Sequence, residues 1–240
     1  MVSPRTFAFV FARGGSKGLP GKNLLPIAGI PLLAYGIRLA QQLSFVEAVF
    51  VSTDCPQIAE TASLYGAKII TRPNELASDS APEWLAWQHA VEYVESNYGD
   101  FDHFLSLPPT APCRNSFDVS RCLDALSPAI DLVLTVTPSR RNPYFNMVTR
   151  SSNGHLKLVN NYNTLNRRQD SPQCFDITTV AYASRPSFIL QASNMWEGKI
   201  TGVEVPSERA IDIDDALDFS IAQFLIEQKN VHLLSSFSYE

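Results

Sequence analysis

The feature that most constrains this chain is a regular alternation of short apolar runs with longer amphipathic stretches. Segments 6–12, 48–52, 68–71, 103–107 and 132–136 are rich in Val, Ile, Phe and Leu and are bounded by polar or turn residues, the pattern of buried strands. Between them, 31–43, 56–65, 82–96 and 116–126 read as helices. In the third, Trp84, Trp87, Val91 and Val94 share one helical face. Pro31, Pro56 and Pro82 suit a first helical turn, where no amide donor is needed, and Gly66 suits a C-terminal stop. This order predicts a mostly parallel, doubly wound α/β sheet. Ligands in such sheets bind beyond the carboxyl ends of the strands, so the segment leaving the first strand points at the site.

The alternation breaks after Pro138. Residues 139–176 are polar and irregular, with an alternating stretch near 155–159, and read as an insertion. A subunit contact and a solvated excursion fit it equally well. A strand resumes at 177–183. A final helix at about 215–228 places Leu217, Ile221, Phe224, Leu225 and Gln228 on one side, which is expected to face the core. The 240 residues thus suit one large domain, 1–240, with a small lobe inserted at about 139–176.

Composition excludes several classes. A chain 45% hydrophobic and 18% charged can bury a sizeable core. A net charge of −5 argues against a nucleic-acid partner, which calls for surplus cations. The four cysteines form no Cys-x-x-Cys pair, so neither a disulfide framework nor a structural zinc site is expected. No apolar run is long enough for a membrane span, and no leader pattern is visible; the expectation is a cytoplasmic protein with no membrane partner.

Against this acidic background one loop stands out. Arg13-Gly-Gly-Ser-Lys-Gly-Leu-Pro-Gly-Lys-Asn23 carries three cations, four glycines and no acid. Glycines let backbone amides approach a phosphate, and cations neutralise its oxygens. The loop is neither a P-loop nor a dinucleotide fingerprint. Aligned on Gly21-Lys22, a P-loop would need Gly at Ser16 and Ser or Thr at Asn23; in the other motif Gly14 and Gly15 are wrongly adjacent. A second feature is the acidic stretch 204–218. If extended, its Asp212 and Asp214 project to one side. Two hard oxygen ligands suit Mg²⁺ completed by substrate phosphates; an acidic helix cap is the competing reading of the same residues.

The loop 12–23 closely resembles the signature of the acylneuraminate cytidylyltransferases, the CMP-sialic acid synthetase family. Four further stretches resemble family segments in order: Val51-Ser-Thr-Asp54, Arg72-Pro-Asn-Glu-Leu-Ala-Ser-Asp79, Pro109-Thr-Ala-Pro-Cys-Arg114 and Ile211-Asp-Ile-Asp214. The resemblance implies a Rossmann-like nucleotidyltransferase that couples CTP to the anomeric hydroxyl of a nonulosonic, sialic-acid-like 2-keto-3-deoxy sugar acid, releasing pyrophosphate. It implies that Arg13, Lys17 and Lys22 hold the triphosphate, with Ser16 and Asn23 assisting. Arg72, Ala77, Ser78 and Asp79 would line the base, and Asp212 and Asp214 would hold Mg²⁺. Arg13, Lys22, Asp212 and Asp214 are then the catalytic set. A homodimer is implied, with Arg168 of the inserted lobe reaching the acidic sugar and Pro108 and Thr110 on the sugar side.

The chain departs from the family on that side. Pro108 stands where a Gln is common, and Asp176 where an Arg is common. Proline brings neither a side-chain amide nor a backbone donor. These departures point to a relative of sialic acid, such as a legionaminic-type sugar. Alternatives are 3-deoxy-manno-octulosonate as acceptor and GTP as donor. A non-catalytic nucleotide-binding module and a glycosyltransferase fit less well, because Lys22, Asp212 and Asp214 occur together in the synthetase arrangement.

Overall fold

The computed structural model describes residues 4–160, 167 and 171–236, with side chains of the last helix described as far as 228. Its centre is a seven-stranded sheet. In chain order the elements are β1 (Thr6–Phe11), the short pair β2 (Pro26–Ile27) and β3 (Ile30–Pro31), α1 (Leu32–Gln42), β4 (Val46–Thr53), α2 (Pro56–Leu64), β5 (Lys68–Thr71), α3 (Glu83–Tyr98), β6 (His103–Ser106), α4 (Ser116–Asp124), β7 (Leu132–Pro138), β8 (Val148–Arg150), β9 (Leu156–Leu158), β10 (Phe175–Ser184), α5 (Pro186–Gln191), β11 (Ile200–Glu204) and α6 (Ala216–Ser236). The sheet order is β11-β7-β10-β6-β1-β4-β5. β1 pairs in parallel with β4 and β6, β4 with β5, and β7 with β11, while β10 runs antiparallel to both β6 and β7. All the strands but β10 therefore end on one edge.

β1 explains the layering. Its side chains alternate, and both faces are buried. Phe7, Phe9 and Phe11 enter an aromatic cluster with Phe104 and with Trp84, Trp87, Val91 and Val94 of α3. Phe9 and Phe104 stack with centroids 4.6 Å apart. Ala8 and Val10 face the other way, toward Leu33 and Ile37 of α1, Ile58 of α2 and Val119 of α4. Helices thus cover both faces of the sheet, as the alternation predicts. Pro56 opens α2, whereas Pro31 and Pro82 stand one residue before their helices, at the N-cap. Helix α4 begins with a reciprocal cap between Asn115 and Asp118.

Three parts of the sequence reading need correction. First, the apolar side expected for the last helix is rotated, and of its apolar members only Leu225 reaches the core. Phe219, Ala222, Leu225 and Ile226 pack with Ile27, Leu32 and Ile213, whereas Leu217 and Phe224 are 67% and 61% exposed. The cap sets the phase: Asp218 accepts the amides of Asp214 and Asp215, and Asp215 accepts those of Leu217 and Asp218. A helix apolar on two sides leaves periodicity without a unique answer. Second, β11 and α5 were not anticipated. Third, the insertion is not wholly irregular: β8 and β9 form an antiparallel hairpin within it, and the alternating stretch is β9. Among the described residues, no helix is long and apolar enough to cross a membrane.

Candidate active site

The exits of β1, β5 and β6 surround a cavity of about 590 Å³. The basic loop leaves β1 and is tied down at its base. The amide of Ala12 donates to the carbonyl of Ser52, and that of Gly14 donates to Asp54 Oδ1 at 3.0 Å. Buried Asn23 donates from Nδ2 to the carbonyl of Arg13 at 3.1 Å, closing the loop on itself. Gly21 has φ 67°, a left-handed turn that glycine adopts without strain. Gly18 lies against the arm that carries the aspartates: a methyl group built on it would overlap the carbonyl oxygen of Asp214.

That arm arrives from the far end of the chain. Ile213 is buried and its amide donates to the carbonyl of Thr110 at 2.9 Å. Asp212 and Asp214, on either side of it, both line the cavity. The Lys22 ammonium donates to the carbonyl of Ile213 at 2.6 Å and pairs with Asp214 at 3.2 Å. The arm is held from outside as well, where Arg209 pairs with fully buried Asp118 through two hydrogen bonds of 2.8 and 2.9 Å.

The opposite wall is less charged and is shaped by an irregularity in β10. Its pairing with β7 slips between Thr178 and Tyr182. The bulge places Thr179 beside Thr110, whose hydroxyl donates to Thr179 Oγ1 at 3.2 Å. Burial raises the pKa of Asp212, while the neighbouring hydroxyls of Thr110 and Thr179 oppose the rise. Beneath, the fully buried guanidinium of Arg114 donates to the carbonyls of Pro108 and, at 3.1 Å, Thr179. Burial pulls its pKa down to about 9. Glu83 lines the cavity and is reached by solvent from it, yet protein surrounds its carboxyl. Burial raises its pKa, and a hydrogen bond from Trp87 Nε1 at 3.2 Å partly offsets this.

Of the residues singled out in the sequence, Arg13, Ser16, Lys17, Lys22, Asn23, Arg72, Ser78, Asp79, Pro108, Thr110, Asp212 and Asp214 line this cavity. Ala77 does not; its carbonyl accepts from Arg13 at 3.4 Å. Arg168 lies outside the described residues. Asp176 pairs with Thr137 in the outer part of β10 and is not among the cavity's lining residues. The buried Arg72 donates to Ser52 Oγ and to the Ser52 carbonyl, at 3.1 and 2.8 Å, and stacks over Phe11. Much of its bonding capacity thus anchors β4. Arg13 and Lys17 are both paired with Asp79, at 2.7 and 2.6 Å. Sequence reasoning missed Gly18 as a contact to the aspartate arm, together with Glu83, Thr179 and Tyr182.

Two carboxylates on one wall fit a hard divalent cation that takes its remaining oxygens from phosphates and water. Among the described residues no group of three or more His, Cys, Asp or Glu forms a self-sufficient metal cage. A cationic strand-exit loop set against an aspartate-bearing arm on one cavity is the apparatus of a nucleotidyltransferase. Residues 7–100 match the family model described as Cytidylyltransferase. The chain is 34% identical over 227 residues to the post-translational flagellin modification protein B of Campylobacter coli, covering 92% of this chain and 95% of that protein. It is 33% identical, with the same coverage, to the CMP-N,N'-diacetyllegionaminic acid synthase of Campylobacter jejuni. The solved structure of a CMP:2-keto-3-deoxy-manno-octonic acid synthetase complexed with CTP shares the fold, with TM-score 0.70, 19% identity and coverage of 94% and 99%. This chain belongs to the cytidylyltransferase family.

Proposed function

We propose that the chain transfers a cytidylyl group from CTP to the anomeric hydroxyl of a legionaminic-type nonulosonic acid, giving the CMP-sugar and pyrophosphate. One observation carries the reading: Lys22 of the basic loop pairs with Asp214 of the aspartate arm on the wall of the cavity. In the reaction a bond forms between the anomeric oxygen and the α-phosphorus while the α–β phosphoanhydride breaks. Such chemistry depends on positioning and on stabilising charge. Arg13, Lys17 and Lys22 are suited to hold the phosphates, with Ser16 and Asn23 shaping the loop. Arg72 and Ser78 border the space left for the base.

Asp212 and Asp214 would hold Mg²⁺. Bound there, the cation would screen phosphate charge and lower the pKa of a coordinated hydroxyl. Thr110 and Thr179 fix Asp212, and Arg114 ties together the two segments that bring them. The acceptor then belongs near Pro108, Thr110 and the β10 bulge. The legionaminic-type assignment is supported by Pro108, the departure that lines the cavity, and by the name of one relative; Asp176 lies away from the cavity and does not bear on it.

A homodimer with its contact on the lobe at 139–176 is supported by apolar side chains there. Met147, Val148, Leu156 and Val159 of the β8–β9 region are exposed, as are Phe175 and Ile177 at the start of β10. In a second subunit's absence these would face water. A cytoplasmic location follows from the reaction, since CTP is supplied there. The test is a pyrophosphate-release screen crossing four nucleoside triphosphates with several nonulosonic acids and 3-deoxy-manno-octulosonate. Turnover with CTP and a legionaminic-type acid is expected; preference for N-acetylneuraminate, or for GTP, would overturn that part of the assignment.

A further inference from the structure

Two of the three cations in the basic loop share one exposed partner. Asp79 stands just beyond the turn at Asn74–Leu76, and its two carboxylate oxygens divide between Arg13 at 2.7 Å and Lys17 at 2.6 Å. Hydrogen bonds from Lys17 and then from Arg13 hold its pKa below the usual carboxylate range. The third cation, Lys22, has a different partner in Asp214 and is also bound to a main-chain carbonyl. Asp79 has no such anchorage: it lies on an exposed loop, and its side chain is 45% exposed. It can leave without stranding a buried charge. Two partly exposed ion pairs cost little to break, and a polyphosphate offers the same cations more acceptor oxygens and more negative charge.

We infer that Asp79 is a resident competitor for the polyphosphate subsite: its carboxylate occupies the place of phosphate oxygens on Arg13 and Lys17 and must be displaced when a triphosphate binds or pyrophosphate remains. This rests on the proposed function for the identity of the ligand. The competition penalises every ligand that needs those cations by the same factor, and it does not touch a ligand without phosphates. After transfer the carboxylate returns to its cations, which favours departure of pyrophosphate.

The experiment is calorimetric titration of the full chain with CTP, pyrophosphate and cytidine, for the unsubstituted protein, Asp79→Asn and Asp79→Ser. Glu75→Gln, which neutralises an exposed acid on the same turn, controls for net charge. Both Asp79 variants should bind CTP and pyrophosphate more tightly by a shared factor of roughly three to ten, the size expected of two half-exposed ion pairs, with cytidine unchanged. The factor should shrink as salt is added. Weaker binding of CTP and pyrophosphate in the variants, unchanged constants, an equal gain for cytidine, or an equal gain from Glu75→Gln would each overturn the inference. A protein that takes pyrophosphate but ignores CTP would sink the nucleotide reading while leaving the Asp79 comparison readable. Binding neither ligand would overturn both.

Discussion

The two walls of the cavity are built by different means. The phosphate-facing wall is a loop leaving a parallel strand, and its charges come from residues close together in sequence, Arg13, Lys17 and Lys22. The acceptor-facing wall is assembled around β10, the strand of the seven-stranded sheet that runs against its neighbours. It brings Pro108, Thr110 and Thr179 together from segments about 70 residues apart, through a bulge and a buried arginine. The first wall supplies charge, which a local motif can encode. The second supplies shape and hydroxyl groups, which depend on long-range register. The aspartate arm joins the two, since its amide backbone is held by Thr110 and its carboxylates meet Lys22 and the threonines.

The sharpest way to break the comparison is to release the arm without touching either wall. Arg209→Met would leave the buried Asp118 charge with the Asn115 amide as its remaining donor, and chemical denaturation should show a loss of about 3 kcal/mol. A loss under 1 kcal/mol would mean that the pair does not fasten the arm. A smaller effect should come from the acceptor wall. Thr179→Val removes a hydroxyl that favours ionised Asp212, a loss of about 1–1.5 kcal/mol. The magnesium concentration giving half-maximal pyrophosphate release should rise roughly five- to tenfold with the fold intact. An unchanged magnesium dependence would detach the bulge from the aspartate.

The smallest effect concerns pH. The folded-state pKa of Glu83 is raised by burial, so below the ordinary carboxylate range it is protonated in both states and contributes no difference. As pH rises past the unfolded value toward the folded one, ionisation increasingly penalises the folded state. Glu83→Gln should therefore be more stable than the parent at pH 7. Because the residue is exposed toward the cavity, the gain should be modest, roughly 2–4 °C in Tm, and should fade toward pH 4. A variant equally or less stable at pH 7 would contradict this sign.

The same contrast explains what could be read in advance. Strand–helix alternation disclosed the parallel part of the sheet, and β5 lies where the apolar run predicts it. The basic loop was legible because glycine and charge density are local properties. Asp212 and Asp214 were legible because two-residue spacing in extended chain puts side chains on one side. Thr179 and Tyr182 were hidden in what reads as an ordinary strand, since a bulge is decided by pairing with β7. Gly18 is one glycine among four in the loop until the arm it touches is in place. β11, with Gly202 and only two large aliphatic residues in Ile200–Glu204, gives too weak a pattern to register as an edge strand. The last helix misled because Leu217, Ile221 and Phe224 form a second apolar stripe that does not face the core.

The central claim is that the loop and the arm grip one nucleotide, and a double-mutant cycle on Lys22→Ala and Asp212→Asn addresses it directly through the rate of pyrophosphate release from CTP. Each single change should cost about 2–4 kcal/mol of transition-state stabilisation. The pair should cost less than the sum by about 1–3 kcal/mol, as expected for groups acting on the same charge. Strict additivity would mean that the two regions contribute independently of each other and would contradict the account.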